Sequence, residues 1–459
     1  MVSESAGPDS SPQPPAEITA VLDNIVQDWE GQNAFAEEYR RITGIGLNIV
    51  QPSHQQYMNK LLIRLSSGEL PDVCEILPEY LPQLVSEGVP VPLNQYIREA
   101  EHLGSVDPEK LDAVRYKDGT IYGVQSRDGG GCVTYIRKDW LENLNLEVPT
   151  NWDELLTVMR AFTFDDPDGN GRDDTVGYTD VNAASCDWYN RAIMLDAHVE
   201  IYYRDGRWVD GFTEPQMEEA LRRLRSLYIE GVIDRDFITN TTYSARAKVF
   251  NGQVGIFTYW ANHWARNLYD RTRKGSDPNA RIEPIPAIRG AQYISRVAPL
   301  LIITRGAEDP EFVFRNFIDL QYDKGPVQKL FTYGVEGYHW KMENGEMQFL
   351  INELDPYKVQ YTKAYVPPDS ILNDWALPMP LDPLVKPALA ILHEDPYQER
   401  LKVGGDFYEK YYLEIEKSLK PEILAMIVTG AYTVEQGLSE YERRSGELFI
   451  EEILSELNS

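Results

Sequence analysis

Residues 46–76, GLNIVQPSHQQYMNKLLIRLSSGELPDVCEI, decide the fold class of this chain. The apolar run at 47–50 predicts a strand, and the spacing of apolar residues at 55–66 predicts a helix with one apolar face. A glycine-containing turn then ends the helix, and a second short strand begins at Val73. A strand, a helix and a strand in succession favour a parallel sheet with a helical crossover.

The alternation continues on both sides of this stretch. An apolar, β-compatible run at 18–25 and a helical period at 33–43 precede it, and a helix predicted at 79–87 follows it. A short apolar strand is expected again at 299–303. These patterns predict an α/β fold.

Two later helices have recognisable start signals. Either Thr150 or Asn151 can cap a helix that carries Trp152 on its apolar face. Thr213 is expected to cap another helix, which runs from residue 214 through Gly231. Both helices belong to a second structural block, separate from the strands at the start of the chain.

The length and composition place the chain among globular proteins. Its 459 residues are enough for two or three domains with a sizeable core, and 42% of them are hydrophobic and 25% charged. The formal net charge of −29 repels phosphate backbones and anionic lipid headgroups. Nucleic acid is therefore excluded as a partner, and electrostatic attraction to a membrane surface is not expected.

The cysteines and the start of the chain carry further signals. Cys74, Cys132 and Cys186 are odd in number and lack a CxxC spacing, so we expect buried thiols rather than a disulfide framework or a zinc site. No apolar run reaches the roughly 18 residues that a membrane span requires. Residues 1–17 are Ser/Pro-rich and predict a flexible tether. A Met directly before a tether indicates a removed leader peptide, with a natural cytoplasmic start as the alternative.

Several phrases resemble, in the same order, those of family 1 extracellular solute-binding proteins, especially the long Gram-positive lipoprotein branch. Each phrase alone is weak because turns rich in Gly and Asp are common, but their order and spacing together are specific. The resemblance covers essentially everything after the tether. The matching phrases are SGELPDV at 67–73, KDGTIYGV at 117–124, YIRKDWL at 135–141, PTNWDEL at 149–155, DPDGNG at 166–171 and GVEGYHW at 334–340.

The resemblance implies both a fold and a function. The fold would be a two-lobed, periplasmic-binding-protein-like α/β fold of the class II type, with the ligand in a cleft between the lobes. One lobe would combine residues 18–135 with 296–350, and the other 136–295 with 351–459. The function would be extracellular capture of an oligosaccharide and its delivery to the transmembrane permease subunits of an ABC importer, without enzymatic activity. We expect a monomer that an N-terminal lipid anchors to the membrane in the native protein.

Residues 166–174, DPDGNGRDD, have the spacing of a calcium loop, with a glycine at the sixth position for the sharp turn. Gly177 stands at position twelve, where an EF-hand has Glu, and Thr175 stands where the loop of related alginate-binding proteins has Glu. One ligand is therefore open, with Asp173 as a possible substitute. We expect a structural calcium ion, and a solvated turn without metal is the alternative. The expected oxygen donors are the side chains of Asp166, Asp168, Asn170 and Asp174 and the carbonyl group of Arg172.

Aromatic rings beside planar polar groups suit a sugar, which has apolar faces and hydroxyl edges. The segment YWANHW at 259–264 follows a Gly-flanked apolar strand that resembles the strand ending at the family's cleft. Trp260 and Trp264, with Asn262 between them, are therefore candidate ligand-binding residues. A helix starting here would put both tryptophans on one face. The alternative is that either ring belongs to the core, because Trp is highly buried on average.

Other candidates lie in segments that the resemblance places near the cleft. Arg127 and Asp128 could bind hydroxyl groups, although a plain surface turn is nearly as good an explanation. We assign Trp140, Trp152 and Trp208 to packing. The remaining candidate ligand-binding residues are Glu79, Tyr80, Tyr338, Trp340, Asp374 and Trp375.

Two other classes of function compete with a binding protein. A glycoside hydrolase is the enzyme alternative, because 73 acidic residues supply carboxylate pairs by chance. No GxSxG, HExxH, Walker or dinucleotide motif occurs in a strand-to-helix context. A calcium-dependent glycan-adhesion module is disfavoured by the single loop and the lack of repeats. A uronate ligand would require local cations such as Arg127 or Arg266 in this acidic chain, so we expect a neutral oligosaccharide.

Overall fold

The computed structural model describes residues 17–23, 25–26, 28–106, 108–116, 118–125, 129–181, 187, 189–350 and 382–459. The tether predicted at 1–17 lies outside these residues except for Glu17, which opens the first strand. Cys74 and Cys132 are buried, as predicted, and Cys186 lies outside the described residues. None of the described helices is long and apolar enough to cross a membrane.

The strands are short and alternate with helices along most of the chain, as the sequence predicts. They are β1 (Glu17–Val21), β2 (Gly46–Val50), β3 (Val73–Ile76), β4 (Val124–Gln125), β5 (Cys132–Arg137), β6 (Val176–Thr179), β7 (Ile201–Arg204), β8 (Arg207–Asp210), β9 (Val254–Trp260), β10 (Ile282–Ile285), β11 (Ile294–Ser295), β12 (Leu300–Ile303), β13 (Trp340–Glu343), β14 (Glu346–Phe349) and β15 (Tyr397–Gln398).

The α-helices range from single turns to four turns. They are α1 (Trp29–Thr43), α2 (Tyr57–Ser66), α3 (Leu81–Ser86), α4 (Asn94–Arg98), α5 (Pro108–Asp112), α6 (Lys138–Asn143), α7 (Trp152–Phe164), α8 (Arg191–Met194), α9 (Pro215–Glu230), α10 (Thr242–Phe250), α11 (Trp264–Gly275), α12 (Pro310–Val313), α13 (Pro326–Tyr333), α14 (Val385–His393), α15 (Asp406–Glu414), α16 (Lys420–Thr429), α17 (Val434–Glu447) and α18 (Ile450–Asn458). Short 3-10 turns include His54–Gln56, Pro78–Tyr80 and Gly211–Thr213.

The chain divides into two compact units. Unit one is Met1–Arg127 with Pro299–Met379, and unit two is Asp128–Ala298 with Pro380–Ser459. The sequence placed residues 129–135 and 296–298 in the first lobe, whereas the structure places both in unit two. β5 pairs along its length with β9 and β10, and the backbone N–H of Arg296 donates to the carbonyl oxygen of Gly130. Residues 351–381, which the sequence assigned to the second lobe, lie outside the described residues.

Unit one contains a five-stranded sheet in the order β2-β1-β3-β12-β4. β1 runs parallel to both β2 and β3, which confirms the crossover predicted from residues 46–76. β12 arrives later in the chain and lies antiparallel to β3 and β4. The hydroxyl group of Tyr57 on α2 lies 2.8 Å from the carbonyl oxygen of Val21 and 2.7 Å from that of Glu75. These hydrogen bonds dock α2 against β1 and β3, and a buried hydroxyl group without such partners would be costly.

Unit two contains a four-stranded sheet in the order β10-β5-β9-β6. β9 runs antiparallel to β5 and parallel to β6, so the carboxyl ends of β6 and β9 meet at one edge. The helix α7 buries its apolar face against this sheet, and α9 packs against α8, α16 and α17 in the same core, which also takes in Trp140. In open α/β sheets, ligands bind outside the carboxyl ends of the strands. This edge therefore positions the candidate site in unit two.

The predicted helix signals in unit two are partly confirmed. The side chain of Asn151 accepts a hydrogen bond from the backbone N–H of Glu154 at 3.1 Å and caps α7, as predicted. Gly231, with a φ of 84°, ends α9 in the left-handed conformation that favours glycine. The prediction that Thr213 caps α9 is wrong, because Thr213 ends a preceding 3-10 turn and α9 begins at Pro215.

Candidate functional site

The segment at 259–264 joins the end of a strand to the start of a helix. β9 ends at Trp260, and α11 begins at Trp264. The side-chain oxygen of Asn262 accepts a hydrogen bond from the backbone N–H of Trp264 at 3.2 Å, which fixes the turn between them. The prediction that one helix would carry both tryptophans on one face is therefore wrong. The two rings instead come from a strand end and a helix start.

Four rings meet at this edge of unit two and form what we call the aromatic platform: Tyr189, Tyr259, Trp260 and Trp264. The rings of Tyr189 and Tyr259 stack at a centroid distance of 5.9 Å. Trp264 meets Tyr259 edge-on at 5.1 Å, and Trp260 meets Tyr189 edge-on at 6.2 Å. The tyrosines are buried and the tryptophans are half-buried. The tyrosines thus form the base of the platform, and each tryptophan keeps part of its ring at the surface.

A guanidinium group lies over each tryptophan ring. The Cζ atom of Arg296 is 4.7 Å from the ring centre of Trp260, and that of Arg246 is 4.4 Å from the ring centre of Trp264. Such pairs attract electrostatically through the negative face of the ring. Arg296 is itself fixed, because its Nε donates to the carbonyl oxygen of Gly129 at 2.9 Å. Sequence reasoning missed both arginines, since neither lies near the tryptophans along the chain.

A buried polar network supports the platform from β6. The hydroxyl group of Tyr178 lies 3.0 Å from the carboxyl group of Asp180, 3.1 Å from the carbonyl oxygen of Tyr189 and 3.1 Å from the hydroxyl group of Thr258. Burial raises the pKa of the Asp180 carboxyl group well above its ordinary range. The network fixes the main chain at the base of the platform, because the Tyr178 hydroxyl group is bound to the carbonyl oxygen of Tyr189.

Unit one presents an aromatic residue that sequence reasoning missed. Trp29, the first residue of α1, is 72% exposed, which is unusual for this residue type. Its neighbour Asp28 caps α1 and also accepts a hydrogen bond from the hydroxyl group of Tyr338 at 3.0 Å. Burial and the nearby Asp28 carboxylate raise the pKa of Tyr338 to about 12. The signal that could have identified Trp29 is its position at a helix start just beyond the carboxyl end of β1.

The sequence predicts that the ring of Trp340 is available to a ligand, but the structure buries it. Its side chain is only 1% exposed, and its Nε1 donates to the carbonyl oxygen of Gly334 at 2.9 Å. The ring packs in a small hydrophobic cluster with Tyr333 and Met347. Trp340 is thus a core residue of unit one, because its position at the start of β13 turns the ring inward against α13.

The other predicted ligand-binding residues fall into two groups. Glu79 and Tyr80 lie in the 3-10 turn that directly follows β3, and both are half-buried at the carboxyl end of that strand. The four remaining candidates lie outside the described residues: Arg127, Asp128, Asp374 and Trp375. Arg266, the cation considered for a uronate, forms a two-pronged ion pair with Asp382 at 2.7 and 3.1 Å.

The acidic loop at 166–174 brings its predicted donor side chains together. The amide nitrogen of Asn170 lies 2.9 Å from the carboxylate of Asp168 and 3.2 Å from that of Asp174. The carboxylate of Asp166 accepts hydrogen bonds from the backbone N–H groups of Asn170 and Gly171, both at 3.0 Å. Partial desolvation and the neighbouring Asp166 and Asp174 carboxylates raise the pKa of Asp168. Two carboxylates thus bind the side-chain amide of Asn170, and a third binds the backbone of the same turn.

The two positions where the loop departs from known calcium loops have structural explanations. Thr175 is buried, and its hydroxyl group donates to the carbonyl oxygen of Phe162 at 2.8 Å. A Cβ atom on Gly177 would come within 2.4 Å of the backbone of Met159, so no larger residue fits there. Arg172 and Asp173 are exposed at the tip of the loop. Within the described part of the chain, no group of three or more His, Cys, Asp or Glu residues has the arrangement of a metal site.

Two α/β units, with aromatic and polar side chains at the carboxyl ends of their strands, define a class of two-lobed solute-binding proteins. The chain belongs to the family of bacterial extracellular solute-binding proteins, whose model matches residues 30–326. The resemblance stated from the sequence is therefore confirmed. The predicted α/β, two-lobed fold is confirmed by the likeness to solved structures.

Individual relatives are distant in sequence but close in fold. The polygalacturonan/rhamnogalacturonan-binding protein YtcQ of Bacillus subtilis strain 168 is 25% identical over 428 residues, covering 87% of this chain and 77% of YtcQ. The fructooligosaccharide ABC transporter substrate-binding protein FusA of Streptococcus pneumoniae serotype 4 is 24% identical over 341 residues, covering 68% of this chain and 60% of FusA. The crystal structure of alginate-binding protein AlgQ2 without calcium ion has a TM-score of 0.76 and 22% identity, with 97% of both chains covered. For two of the curated relatives, the chain spans only 63% and 60% of the relative's length.

Proposed function

We propose that this protein captures an oligosaccharide outside the cell and delivers it to the transmembrane permease subunits of an ABC importer. The observation that carries the proposal is the aromatic platform, whose tryptophans lie at the carboxyl edge of the sheet in unit two with part of each ring exposed. Rings in such a position can stack on the apolar faces of sugar rings. The names of YtcQ and FusA, which refer to a pectic polysaccharide and to fructooligosaccharides, support a carbohydrate ligand.

The proposed contacts extend beyond the platform. Asn262 and the two arginines border the tryptophans in unit two, and Tyr338 and Trp29 are each proposed as ligand-binding aromatic residues in unit one. Glu79 and Tyr80, at the carboxyl end of β3, are proposed as hydroxyl-binding residues. A sugar has hydroxyl groups, which donate and accept hydrogen bonds, and apolar ring faces. A side chain that both donates and accepts suits the hydroxyl groups, and a carboxylate beside an aromatic ring suits a hydroxyl group next to an apolar face. Arg127, Asp128, Asp374 and Trp375 stay candidates on sequence grounds alone.

We propose a neutral rather than a uronate ligand. Of the two cations considered for a uronate, Arg266 is engaged with Asp382, and Arg127 lies outside the described residues. Arg296 and Arg246 lie over ring faces, where the aromatic rings already attract their charge. A carboxylate ligand would have to compete with these contacts and with the overall charge of −29. The two ligands to compare are fructooligosaccharides, which are neutral, and oligogalacturonides, which are uronates.

The acidic loop is proposed to hold a structural calcium ion. Asp166, Asp168, Asn170 and Asp174 offer the oxygen-rich side chains that Ca²⁺ prefers, and rotating the Asn170 amide would direct its oxygen toward the same carboxylates. A bound cation would offset the repulsion between these carboxylates and tie the loop between α7 and β6. The carbonyl group of Arg172 is proposed as a further donor. The name of AlgQ2, whose structure was determined without calcium, agrees with a metal loop in a protein of this fold.

The remaining features follow from the same proposal. We propose an extracellular monomer, anchored by an N-terminal lipid, that does not bind nucleic acid and has no enzymatic activity. The name of one relative, Lipoprotein LipO of Bacillus subtilis strain 168, supports the anchor. The net charge of −29 supports the exclusion of nucleic acid.

The test is calorimetric titration with neutral and uronate oligosaccharides, combined with product analysis after long incubation. We expect saturable binding at micromolar affinity or tighter, about 8 kcal/mol, and an unchanged oligosaccharide afterwards. Cleaved products would identify a glycoside hydrolase instead. Binding of amino acids or peptides alone would contradict the carbohydrate assignment.

A further inference from the structure

Tyr189, at the base of the aromatic platform, lies between two buried charged residues. Asp187 precedes it by two positions along the chain, and Arg191 follows it by two. All three side chains are buried. The ring of Tyr189 meets the ring of Trp260 edge-on at 6.2 Å. The position of the Trp260 ring therefore depends on how the main chain around Tyr189 is held.

The carboxylate of Asp187 anchors this part of the chain on one side. It accepts hydrogen bonds from the backbone N–H groups of Val199 at 2.7 Å and Glu200 at 3.3 Å. The Nδ1 atom of His198 lies 3.1 Å from the same carboxylate. Three groups from one stretch of chain thus converge on a single buried carboxylate, and hydrogen bonds to a charged group are stronger than those between neutral groups.

The imidazole of His198 is oriented to donate to Asp187. Its ring stacks on that of Tyr202 at a centroid distance of 4.0 Å, and the ring of Tyr397 lies 5.2 Å away. Burial alone would raise the pKa of Asp187, but the hydrogen bond with His198 and the charge of Arg191 outweigh it and lower the pKa to about 2. A carboxylate can only accept, so the Nδ1 atom of His198 carries the hydrogen of this bond.

The guanidinium group of Arg191 anchors the chain on the other side of Tyr189. It donates to the carbonyl oxygens of Ala197 at 2.7 Å and Gln292 at 3.1 Å, and also to that of Leu195. Leu195 has a φ of 57° and a ψ of −115°, which is a costly conformation for a residue other than glycine. Such residues persist only where other contacts hold them, and they cluster at functional sites.

We propose that Asp187 and His198 are positioning residues of the oligosaccharide site, which act through Tyr189 on the ring of Trp260. This role rests on the proposed function, since it concerns buried side chains that support the platform without touching the ligand. Because Asp187 and Arg191 hold the main chain on both sides of Tyr189, its ring is ordered before a ligand arrives. An ordered ring loses less conformational entropy on binding, so the loss of this anchor weakens binding.

The first experiment measures the surroundings of Trp260 in the absence of any ligand. The full chain is labelled with fluorotryptophan, and the fluorine NMR resonance of Trp260 is assigned by its absence from Trp260→Phe. We expect Asp187→Ala and His198→Leu to shift this resonance and to leave that of Trp29, in unit one, unchanged. His198→Asn, whose amide nitrogen can replace Nδ1 as the donor, should restore the parent resonance.

The second experiment is a double-mutant cycle on the affinity for a fructooligosaccharide and for an oligogalacturonide. We expect Asp187→Ala and His198→Leu each to weaken binding of the ligand by about fivefold or more. In a chain that already carries Trp260→Ala, Asp187→Ala should weaken binding no further, because its effect passes through that ring. A general loosening of unit two would instead lower the affinity by the same factor in both backgrounds.

The matched control is Glu456→Ala. The carboxylate of Glu456 also accepts hydrogen bonds from backbone N–H groups of unit two, at 2.9 to 3.0 Å, but these belong to residues 405–408 at the start of α15. We expect this variant to lose stability while it keeps the parent resonance of Trp260 and the parent affinity.

Two results would overturn the positioning role. They are an unchanged Trp260 resonance in a cooperatively melting His198→Leu variant, and losses of affinity that multiply when Asp187→Ala and Trp260→Ala are combined. If either variant fails to fold, Asp187→Asn, which keeps an acceptor oxygen for the N–H of Val199, replaces it under the same criteria. If neither oligosaccharide binds the parent, the proposed function is wrong, whereas the resonance still decides whether Asp187 and His198 position the ring.

Discussion

The guanidinium group of Arg296 covers the ring of Trp260, with its Cζ atom 4.7 Å from the ring centre, while its Nε holds the carbonyl oxygen of Gly129 at 2.9 Å. The ring is therefore fixed from one side by a cation that the main chain holds in place. A ring that is ordered before binding loses little conformational entropy when a ligand stacks on it. The strongest test of the platform is consequently the removal of this ring.

We expect Trp260→Ala to lower oligosaccharide affinity at least tenfold, about 1.4 kcal/mol. Truncation removes stacking area, and hot-spot rings commonly contribute about 2 kcal/mol or more. The cooperative melt should stay close to that of the parent because the ring is only half-buried. Trp264→Ala should behave in the same way, with a somewhat larger effect on stability because its ring lies closer to buried Tyr259, at 5.1 Å, than Trp260 lies to buried Tyr189, at 6.2 Å. Calorimetry and thermal melts of each variant measure the two effects.

Trp140→Ala is the matched control for these two variants. Trp140 is fully buried in the core of unit two, so its truncation should cost roughly 3–5 kcal/mol of the free energy of unfolding. Ligand affinity of the folded fraction should be unchanged. If the platform variants instead melt as early as Trp140→Ala and bind normally once folded, the platform belongs to the core.

Calcium should raise the melting temperature of the parent relative to the same protein in chelator. A ligand that binds only the native state stabilises it by mass action, and a hundredfold excess over the dissociation constant corresponds to about 2.7 kcal/mol. Asp168→Asn should abolish most of this shift because it removes a carboxylate from the acidic loop. Asp205→Asn, at an exposed turn in the β7–β8 hairpin, is the control and should keep the shift. Equal melting temperatures in calcium and in chelator would mean that the loop is a solvated turn that binds no calcium ion.

A buried ion triad should contribute strongly to the stability of unit two. The ammonium group of Lys420, with no exposed surface, lies 2.8 Å from Asp210 and 2.6 Å from Glu416. Lys420→Met would leave two carboxylates buried without a cation, so we expect a loss of roughly 3–5 kcal/mol in the free energy of unfolding. Urea denaturation measures this loss.

The control for Lys420 is an exposed cation that also has two acidic partners. Arg443 lies within 2.8 Å of Glu440 and 2.6 Å of Glu447 on the surface of α17. Arg443→Met should leave the denaturation midpoint close to that of the parent, because water already solvates these charges. A similar loss in both variants would mean that burial does not govern the effect.

The local pattern of the sequence was sufficient to predict most elements of the fold. Strands at 47–50 and 73–76 were predicted within one residue, because buried parallel strands are short apolar runs between turn residues. The cap at Asn151 was also predictable from its type and position. Thr213 has the same type, but the 3-10 turn that contains it moves the helix start to Pro215.

The candidate site was less predictable because its contacts are long-range. The sequence identified Trp260 and Trp264 but placed them on one helix, since nothing local shows that the strand runs through Trp260. Arg296 lies over Trp260 only in the folded protein, and no spacing rule connects two residues so far apart in the sequence. Trp340 shows the opposite error, because an aromatic residue beside glycines looked available whereas tertiary packing buries it.

His339 provides a test of the structure of unit one through its response to pH. The side chain is 1% exposed, and its Nδ1 accepts a hydrogen bond from the backbone N–H of Val335 at 2.8 Å, so Nδ1 must be unprotonated. Burial lowers the pKa of His339 to about 4, against the opposing charge of Asp28. The ordinary pKa of histidine is about 6.5. Between these two values, the unfolded chain binds a proton at this position and the folded chain does not.

The contribution of His339 to stability should therefore be complete above pH of about 6.5 and should fall as the pH drops toward 4. Each unit of pKa difference corresponds to about 1.4 kcal/mol. His339→Asn keeps an acceptor for the N–H of Val335 but does not titrate, so its stability should lack this component. We expect the variant to be less stable than the parent at neutral pH and the gap to narrow on acidification, as measured by urea denaturation across this range. A gap that stays constant with pH would show that His339 titrates alike in the folded and unfolded chain, and the buried, accepting imidazole described for unit one would then be wrong.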